Sequence, residues 1–289
     1  MTRDRDRVSA QSARVPLFID GSVGRVFAIY RPAAAPRRPR RGLLVLPPFA
    51  EEMNKTRRMV TLLAERAQEC GIDTLVPDLT GTGDSAGELR DATTDIWRGD
   101  LEICVRWLVE RGVEALDVLA VRFGGLLLDQ LRFDDAVTRG RLVLWQPIAS
   151  GRLLVSQFLR LRFAAGLIEG GGGSVDSSNL RDKLRREGSL QIAGYDLSDE
   201  LACALEALEL GAQPVRRFER VSWFEVAAEE ASDVGPAATR IVSAWRAAGT
   251  RVSGRTLAGD PFWATTEIAT VPALIDATLA ALDDAVVAA

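Results

Sequence analysis

Short apolar runs and amphipathic segments alternate along the chain and predict strands and helices in turn. The run at 43–46 is apolar at every position, which is typical of a parallel strand buried on both faces. The segment at 55–69 repeats apolar residues at helical spacing, with Asn54 as its N-terminal cap. The same criteria predict strands at 15–19, 26–30, 74–78, 117–121, 142–145, 221–226 and 251–257, and helices at 95–110, 124–132, 236–248 and 271–287.

This alternation predicts an α/β fold with right-handed crossovers: a mostly parallel sheet of about eight strands, with helices on both faces. The pattern breaks after residue 147. The segment that follows has a glycine-rich stretch at 170–174 and three predicted helices, at 153–168, 180–187 and 199–208. We therefore predict one core formed by 1–147 and 215–289, with 148–214 inserted as a helical cap.

Charge and composition narrow the class of protein. The 289 residues have a net charge of -4, so we expect no general attraction to nucleic acid or anionic lipid. The three cysteines are widely spaced, which favours neither a disulfide framework nor a metal site, and no cofactor is predicted. The mixed-charge N-terminus and the lack of an apolar run near ~20 residues predict a cytoplasmic protein without direct membrane insertion.

The most informative segment is 116–126, in which an apolar strand runs into Arg122-Phe123-Gly124-Gly125. A strand, a sharp turn with small residues and a helix in this order resemble the nucleophile elbow of α/β hydrolases, where a serine stands at the turn. Here Arg122 occupies that position, and the sequence contains no histidine. Because Ser-His-Asp chemistry needs a hydroxyl or thiol and an imidazole, the segment predicts a hydrolase scaffold without its usual catalytic groups.

Arg122 itself suggests a different chemistry. A guanidinium stays protonated and cannot attack a carbonyl, but its planar set of donors suits a carboxylate or a phosphate. An unpaired buried arginine would cost several kcal/mol, so a carboxylate of the chain or a bound anion must neutralise it. The candidate carboxylates within the chain are those of Glu51, Glu52, Asp84, Glu225 and Glu267.

Further candidates lie where ligands bind in open parallel sheets, at the carboxyl ends of the strands. Glu51 and Glu52 either meet Arg122 or a substrate, or they are acids favoured by the N-terminal dipole of a helix. Phe262 and Trp263 either wall a pocket or cover the end of the sheet. The predicted ligand-binding residues are Arg122, Phe123, Phe49, Glu51, Asn54, Gln146, Trp145, Phe262, Trp263 and Glu267, and the candidates for a catalytic base are Glu51, Glu52 and Glu267.

Several segments, taken in order, carry a resemblance that spans nearly the whole chain, cap included. They include Phe18-Ile19-Asp20-Gly21, the stretch from Pro47 to Lys55, Gly83-Asp84-Ser85-Ala86-Gly87, Arg122 before Gly124, Leu144-Trp145-Gln146-Pro147 and Pro261-Phe262-Trp263. Together they resemble the α/β-hydrolase relatives known as exosortase A system-associated hydrolase, type 2. The resemblance implies a bacterial protein encoded near genes for exopolysaccharide synthesis and exosortase-dependent protein sorting.

Three functions are open at this point. The first is a pocket around Arg122 that binds an anionic or acyl-bearing metabolite of those pathways. The second is an enzyme that hydrolyses or transfers acyl groups with a carboxylate as base, which requires a dry pocket that raises the pKa of that carboxylate. The third is a catalytically inert protein that docks a partner through the cap, either a second copy of the chain or a protein of the same pathway.

Overall fold

The computed structural model describes residues 14–133, 137–168, 177–211 and 217–283. Its main sheet has eight strands. They are β1 Val15–Asp20, β2 Arg25–Arg31, β3 Arg41–Leu46, β4 Ile72–Pro77, β5 Ala115–Val121, β6 Thr138–Trp145, β9 Arg220–Ala227 and β10 Val252–Ala258. Their order across the sheet is β1-β2-β4-β3-β5-β6-β9-β10, so the chain starts at one edge, moves to the centre and ends at the other edge.

The direction of the strands separates an edge hairpin from a parallel centre. β1 pairs antiparallel with β2, and β2 pairs antiparallel with β4, whereas all the other neighbours run parallel. In β3, Leu43, Leu44 and Leu46 have no exposed surface, as expected for an apolar strand that is covered on both faces. The predicted mostly parallel sheet of about eight strands is confirmed.

Helices cover both faces of this sheet. They are α1 Glu51–Glu69, α2 Thr94–Glu110, α3 Gly151–Ile168, α4 Ser177–Glu187, α5 Asp199–Glu206, α6 Pro236–Ala247 and α7 Pro272–Leu282. Trp97 of α2 and Trp245 of α6 belong to the core on one face, and Met59 of α1 and Leu274 of α7 belong to the core on the other. Among the described residues, no helix has both the length and the apolar character needed to cross a membrane.

Between β6 and β9 the chain leaves the sheet and forms α3, α4, a hairpin and α5. The hairpin joins β7 Ser189–Ile192 to β8 Tyr195–Ser198 in a separate antiparallel sheet, which the prediction of a helical cap did not include. Leu190 and Ile192 alternate with polar residues and are buried, which is the pattern of a strand with one covered face. Gly194 then turns the chain with a φ of 87°.

The inserted elements pack on one another and on the core. α3 contacts α5 and also the segment that follows β5. Gly151 permits the close approach of α3 and α5, because a Cβ there would overlap the carbonyl oxygen of Leu205. The cap boundaries at 148 and 214 stay a prediction, and the stretch 170–174 lies outside the described residues.

Two segments near the candidate site differ from the sequence-based expectation. α1 begins at Glu51 and not at Lys55, because Ala50 takes a φ of 49° and turns the chain directly into the helix. Asn54, predicted as the cap, therefore lies within the helix. After β5 the chain forms a 3-10 helix at Arg122–Asp129 where an α-helix was predicted at 124–132.

Candidate functional site

β5 ends in a sharp turn at Arg122, whose φ of 53° lies in the left-handed region. A residue other than glycine is strained there, and such strain is common at functional turns. The Ile148 N–H donates to the Arg122 carbonyl at 3.2 Å, and Gly124 packs so closely on β3 that a Cβ would overlap the carbonyl oxygen of Leu46. The turn therefore presents the Arg122 side chain as a nucleophile elbow presents its nucleophile.

The guanidinium of Arg122 forms an ion pair with Glu52. Its Nη2 lies 2.9 Å from Oε1 of Glu52, and its Nε lies 3.3 and 3.2 Å from Oε1 and Oε2. Nη1 donates to the Gln146 carbonyl at 3.2 Å, and the ring of Trp263 lies 5.0 Å from Cζ. The positive charge of Arg122 is thus stabilised within the protein by a carboxylate, a carbonyl oxygen and the face of an aromatic ring.

The start of α1 decides which carboxylate reaches Arg122. Glu51 and Glu52 both lie in the first turn, where the helix dipole favours acids. They have different partners: Glu51 forms an ion pair with Lys55 at 3.1 Å, and Glu52 forms one with Arg122. Glu225, another candidate, accepts from the Gly235 N–H at 2.6 Å. Of the carboxylates considered from the sequence, Glu52 forms the ion pair.

Gln146 supports the elbow through both its backbone and its side chain. The residue has a φ of 42°, and its N–H donates to the Phe224 carbonyl at 2.7 Å. Its Oε1 accepts from the Val226 N–H at 2.7 Å. The Gln146 carbonyl thus accepts from Arg122 and its amide oxygen accepts from the end of β9, while the expected ligand contact of Gln146 stays a prediction.

The aromatic residues predicted near the site separate into two groups. Trp145 is fully buried, and its Nε1 donates to Oγ1 of Thr278 in α7 at 2.8 Å, so its ring belongs to the core. Phe262 is almost fully buried, with its ring centre 6.0 Å from that of Trp145. Both rings are therefore inaccessible in this structure, and a ligand contact at either residue stays a prediction. Trp263 is the member of this group that faces Arg122.

Asn54 and Glu267 were also predicted as ligand contacts. The Asn54 amide donates to the Tyr195 hydroxyl at 3.3 Å and so connects α1 to the hairpin of the inserted segment. Burial raises the pKa of Tyr195, and the negative charge of Glu51 adds to this rise. Glu267 is exposed and makes no hydrogen bond or ion pair with any residue that the structure describes. The structure therefore does not bring Glu267 to the elbow.

Aromatic side chains fill much of the space under α3. Phe49 lies edge to face with Phe123 at 5.5 Å, with Phe158 of α3 at 5.0 Å and with Trp97 at 6.4 Å between ring centres. Phe49 and Phe123 are 5% and 2% exposed, so they pack against each other more than they face solvent. Such contacts add to the packing free energy and leave only a small opening beside the elbow.

That opening, which we call the elbow cavity, has a volume of about 130 Å³. It lies between the start of α1, the helix α3 and the loop after β10. Its lining residues are Phe49, Glu51, Glu52, Lys55, Leu154, Gln157, Phe158, Leu161, Trp263 and Ala264. The sequence-based reasoning missed the contributions of α3, although the spacing of 154, 157, 158 and 161 marks one face of a helix.

The serine and the cysteines considered as nucleophiles from the sequence do not line this cavity. The Ser85 hydroxyl donates to the Asp78 carbonyl at 2.6 Å and accepts from the Phe27 N–H at 2.8 Å, so it closes a turn, as its position in a glycine-rich loop predicts. Burial raises the pKa of the Cys104 thiol, and nearby Asp100 raises it further. Cys70 and Cys203 are exposed, and within the described part of the chain no cysteine lines the elbow cavity.

Known structures share this architecture. Est1E from Butyrivibrio proteoclasticus, with bound ferulic acid, matches at 17% identity and a TM-score of 0.60, over 90% of this chain and 95% of that one. The complex of DcsB with its substrate analogue matches at 13% identity and 0.58, over 93% and 99%. XC6422 from Xanthomonas campestris, an α/β serine hydrolase without lid, matches at 17% identity and 0.50, over 93% and 91%.

The protein therefore has the α/β-hydrolase fold and is similar in structure to esterases and other hydrolases. At these identities the likeness establishes the fold, and activity has to be argued from the site. No protein-family model matches the sequence, and neither does any curated protein. The resemblance to the exosortase-associated family accordingly stays a prediction.

Proposed function

We propose that this α/β-hydrolase-fold protein acts by binding a ligand and not by serine-hydrolase chemistry. One observation carries the proposal: Arg122 occupies the nucleophile position, and Glu52 neutralises it at 2.9 Å. A guanidinium that stays protonated can neither attack an acyl carbon nor accept a proton. Since the sequence also contains no histidine, it lacks both the nucleophile and the base that such chemistry uses at an elbow.

The geometry also argues against a carboxylate acting as the base. Such a base must face the substrate with a free oxygen in a site that excludes water. Glu52 is held by Arg122, and Glu51 is paired with Lys55 at 3.1 Å. Glu267 is exposed to solvent. None of the three carboxylates considered from the sequence combines a free oxygen with a dry environment.

The elbow cavity fits part of an acyl-bearing ligand. Phe49, Leu154 and Leu161 give it apolar walls, and its polar lining consists of Lys55 and Gln157 with the ion-paired carboxylates of Glu51 and Glu52. Its volume of about 130 Å³ is below the ~300–1,000 Å³ of pockets that enclose a whole small molecule, so we assign it a single acyl chain. An anionic end group would replace Glu51 as the partner of Lys55, because a half-exposed ion pair costs little to open.

The sequence resemblance extends this proposal to a pathway. We assign the ligand to the anionic or acyl-bearing metabolites of bacterial exopolysaccharide synthesis or exosortase-dependent sorting, bound in the cytoplasm. The stretch from Pro47 to Lys55 and the segment Pro261-Phe262-Trp263 carry that resemblance. They also supply Phe49, Lys55 and Trp263 to the elbow cavity, which supports a link between the resemblance and the ligand.

A second candidate function is an inert partner protein that docks through α3. Leu153 and Leu161 of α3 are 48% and 40% exposed, which places apolar surface on the outside of the inserted segment. In that case the Arg122–Glu52 pair would be purely structural. A partner protein from the native host would then bind unchanged to an Arg122→Ala variant and more weakly to a Leu153→Trp variant.

Titration calorimetry with octanoate tests the first proposal. Leu161→Trp should weaken octanoate binding at least about tenfold, because the larger ring fills the cavity that Leu161 lines. Leu153→Trp is the matched control: Leu153 lies on the same helix with similar exposure but outside the lining. A lack of octanoate binding, or an equal effect of both variants, would contradict an acyl site at the elbow.

A further inference from the structure

A second cavity, which we call the α1 cavity, lies between α1 and the strands β2 and β4. It uses a different face of α1 from the elbow cavity and has a volume of about 320 Å³. Arginines at positions 14, 31, 57 and 58 line it, with Asp78 as the acidic member of the lining. The lining of this cavity therefore carries a net positive charge, although the protein as a whole has a net charge of -4.

Two of these arginines are engaged within the chain. Nη2 of Arg57 lies 3.2 and 3.0 Å from the two carboxylate oxygens of Asp78, which also accepts from the Asp84 N–H at 3.0 Å. Arg31 pairs with Glu65 of α1 at 3.0 Å. Arg57 therefore neutralises the negative charge of Asp78 before a ligand binds, so Asp78 repels an incoming anion only weakly.

Arg14 and Arg58 supply the surplus positive charge. Both are exposed, and neither forms a hydrogen bond or ion pair with any of the residues described. They come from different parts of the structure, one from the approach to β1 and the other from the third turn of α1. Two guanidinium groups on one cavity suit a doubly charged oxyanion, because each can offer two parallel N–H donors.

Apolar side chains also line the α1 cavity. Ile29, Val45, Val60 and Val76 line it, contributed by β2, β3, α1 and β4. Its volume of about 320 Å³ reaches the ~300–1,000 Å³ range of pockets that bind small molecules. A ligand that fills it should therefore combine an apolar body with an anionic end.

We infer that the α1 cavity is a second ligand site that binds an organic phosphate, with its apolar group against Ile29, Val60 and Val76 and its phosphate on Arg14 and Arg58. The site goes beyond the function proposed above and does not depend on it. The two cavities share no lining residue, so each can be blocked without altering the other.

Calorimetry with octyl phosphate tests this inference in protein that carries Leu161→Trp, which closes the elbow cavity. Arg14→Gln and Arg58→Gln should each weaken octyl phosphate binding about tenfold, since each removes a charge-assisted contact. Arg66→Gln is the matched control, because Arg66 is also an exposed arginine of α1 but does not line the α1 cavity. Raising the salt from ~0.1 M to ~1 M should weaken binding further.

Two further probes separate the charge from the apolar chain. Inorganic phosphate should bind at least about tenfold more weakly than octyl phosphate, because it leaves the apolar walls uncovered. Octyl glucoside has the same chain without the charge and should bind as weakly as inorganic phosphate. Thermal unfolding of each variant confirms that it is folded. The inference would be overturned if octyl phosphate bound equally well to the Arg58→Gln, Arg14→Gln and Arg66→Gln proteins. It would also be overturned if octyl glucoside bound as tightly as octyl phosphate.

Discussion

Arg122 and Glu52 are charged side chains in a part of the protein that admits little water. The Arg122 side chain is 11% exposed and that of Glu52 is 25% exposed. Moving such groups out of water is costly, and the cost is offset only where geometry and hydrogen bonding are good. The contacts of Nε and Nη2 with the carboxylate, together with the hydrogen bond to the Gln146 carbonyl, meet that condition. Removal of either partner alone should therefore destabilise the protein.

Glu52→Gln should lower the free energy of unfolding by about 2 kcal/mol, because it leaves Arg122 without an anionic partner. The loss stays below that of a fully buried pair because Glu52 retains contact with water. Urea denaturation measures it, with Glu51→Gln as the control. Glu51 is the adjacent acid and pairs with Lys55 near the surface, so its change should cost at most ~0.5 kcal/mol. Equal losses in both variants would contradict a special role for the elbow pair.

At the scale of elements, the elbow depends on how closely its turn approaches β3. Glycine at position 124 allows the Leu46 carbonyl oxygen into space that any side chain would fill. The left-handed φ of Arg122 is held by the neighbouring contacts, including the 3.2 Å bond from the Ile148 N–H. The conformation of the turn is thus held by backbone contacts, whereas the side chain at its tip contributes to stability through its ion pair with Glu52.

Gly124→Ala should destabilise the protein by more than ~2 kcal/mol, because the added methyl group must push the elbow away from β3. Gly99→Ala provides the contrasting control: Gly99 lies inside α2, and a Cβ there would meet no atom closer than 3.8 Å. That change should stabilise the protein by roughly 0.5–1 kcal/mol, because alanine favours the helix. Thermal or urea unfolding measures both. A Gly124→Ala protein as stable as the wild type would refute the close packing of the elbow.

The sequence predicted most elements of the core because buried parallel strands leave a plain signal. The apolar run at 43–46 appears within β3 Arg41–Leu46, and the helix predicted at 95–110 appears as α2. The start of α1 was not predictable from the same pattern, because Ala50 takes a backbone conformation that alanine rarely adopts. The hairpin of β7 and β8 was missed because each strand has only four residues.

At the scale of the whole molecule, the sheet order brings the site together from distant parts of the chain. Glu52 follows β3, Arg122 follows β5, Gln146 follows β6 and Trp263 follows β10. Because these strands run parallel, their carboxyl ends meet along one edge of the sheet. The inserted segment covers this site through Phe158 of α3, whose ring centre lies 5.0 Å from that of Phe49.

The need for a partner to Arg122 could be argued from charge alone, but its identity could not. Glu51 and Glu52 are neighbours in sequence, and their side chains point in different directions because both lie in the first turn of α1. The surroundings of Trp145 and Gln146 could not be predicted from the sequence for a related reason. The end of a strand exposes one side chain and buries the next, and the sequence does not fix which is which.

The most direct test of the central claim is the hydrolysis of a panel of acyl esters and thioesters by the wild-type protein and by Arg122→Ser. We predict turnover at the level of the buffer for both proteins: the wild type has a guanidinium in place of a nucleophile, and the variant still lacks a histidine to activate its serine. Wild-type turnover above background that disappears in Glu52→Gln or Arg122→Ala would contradict the account.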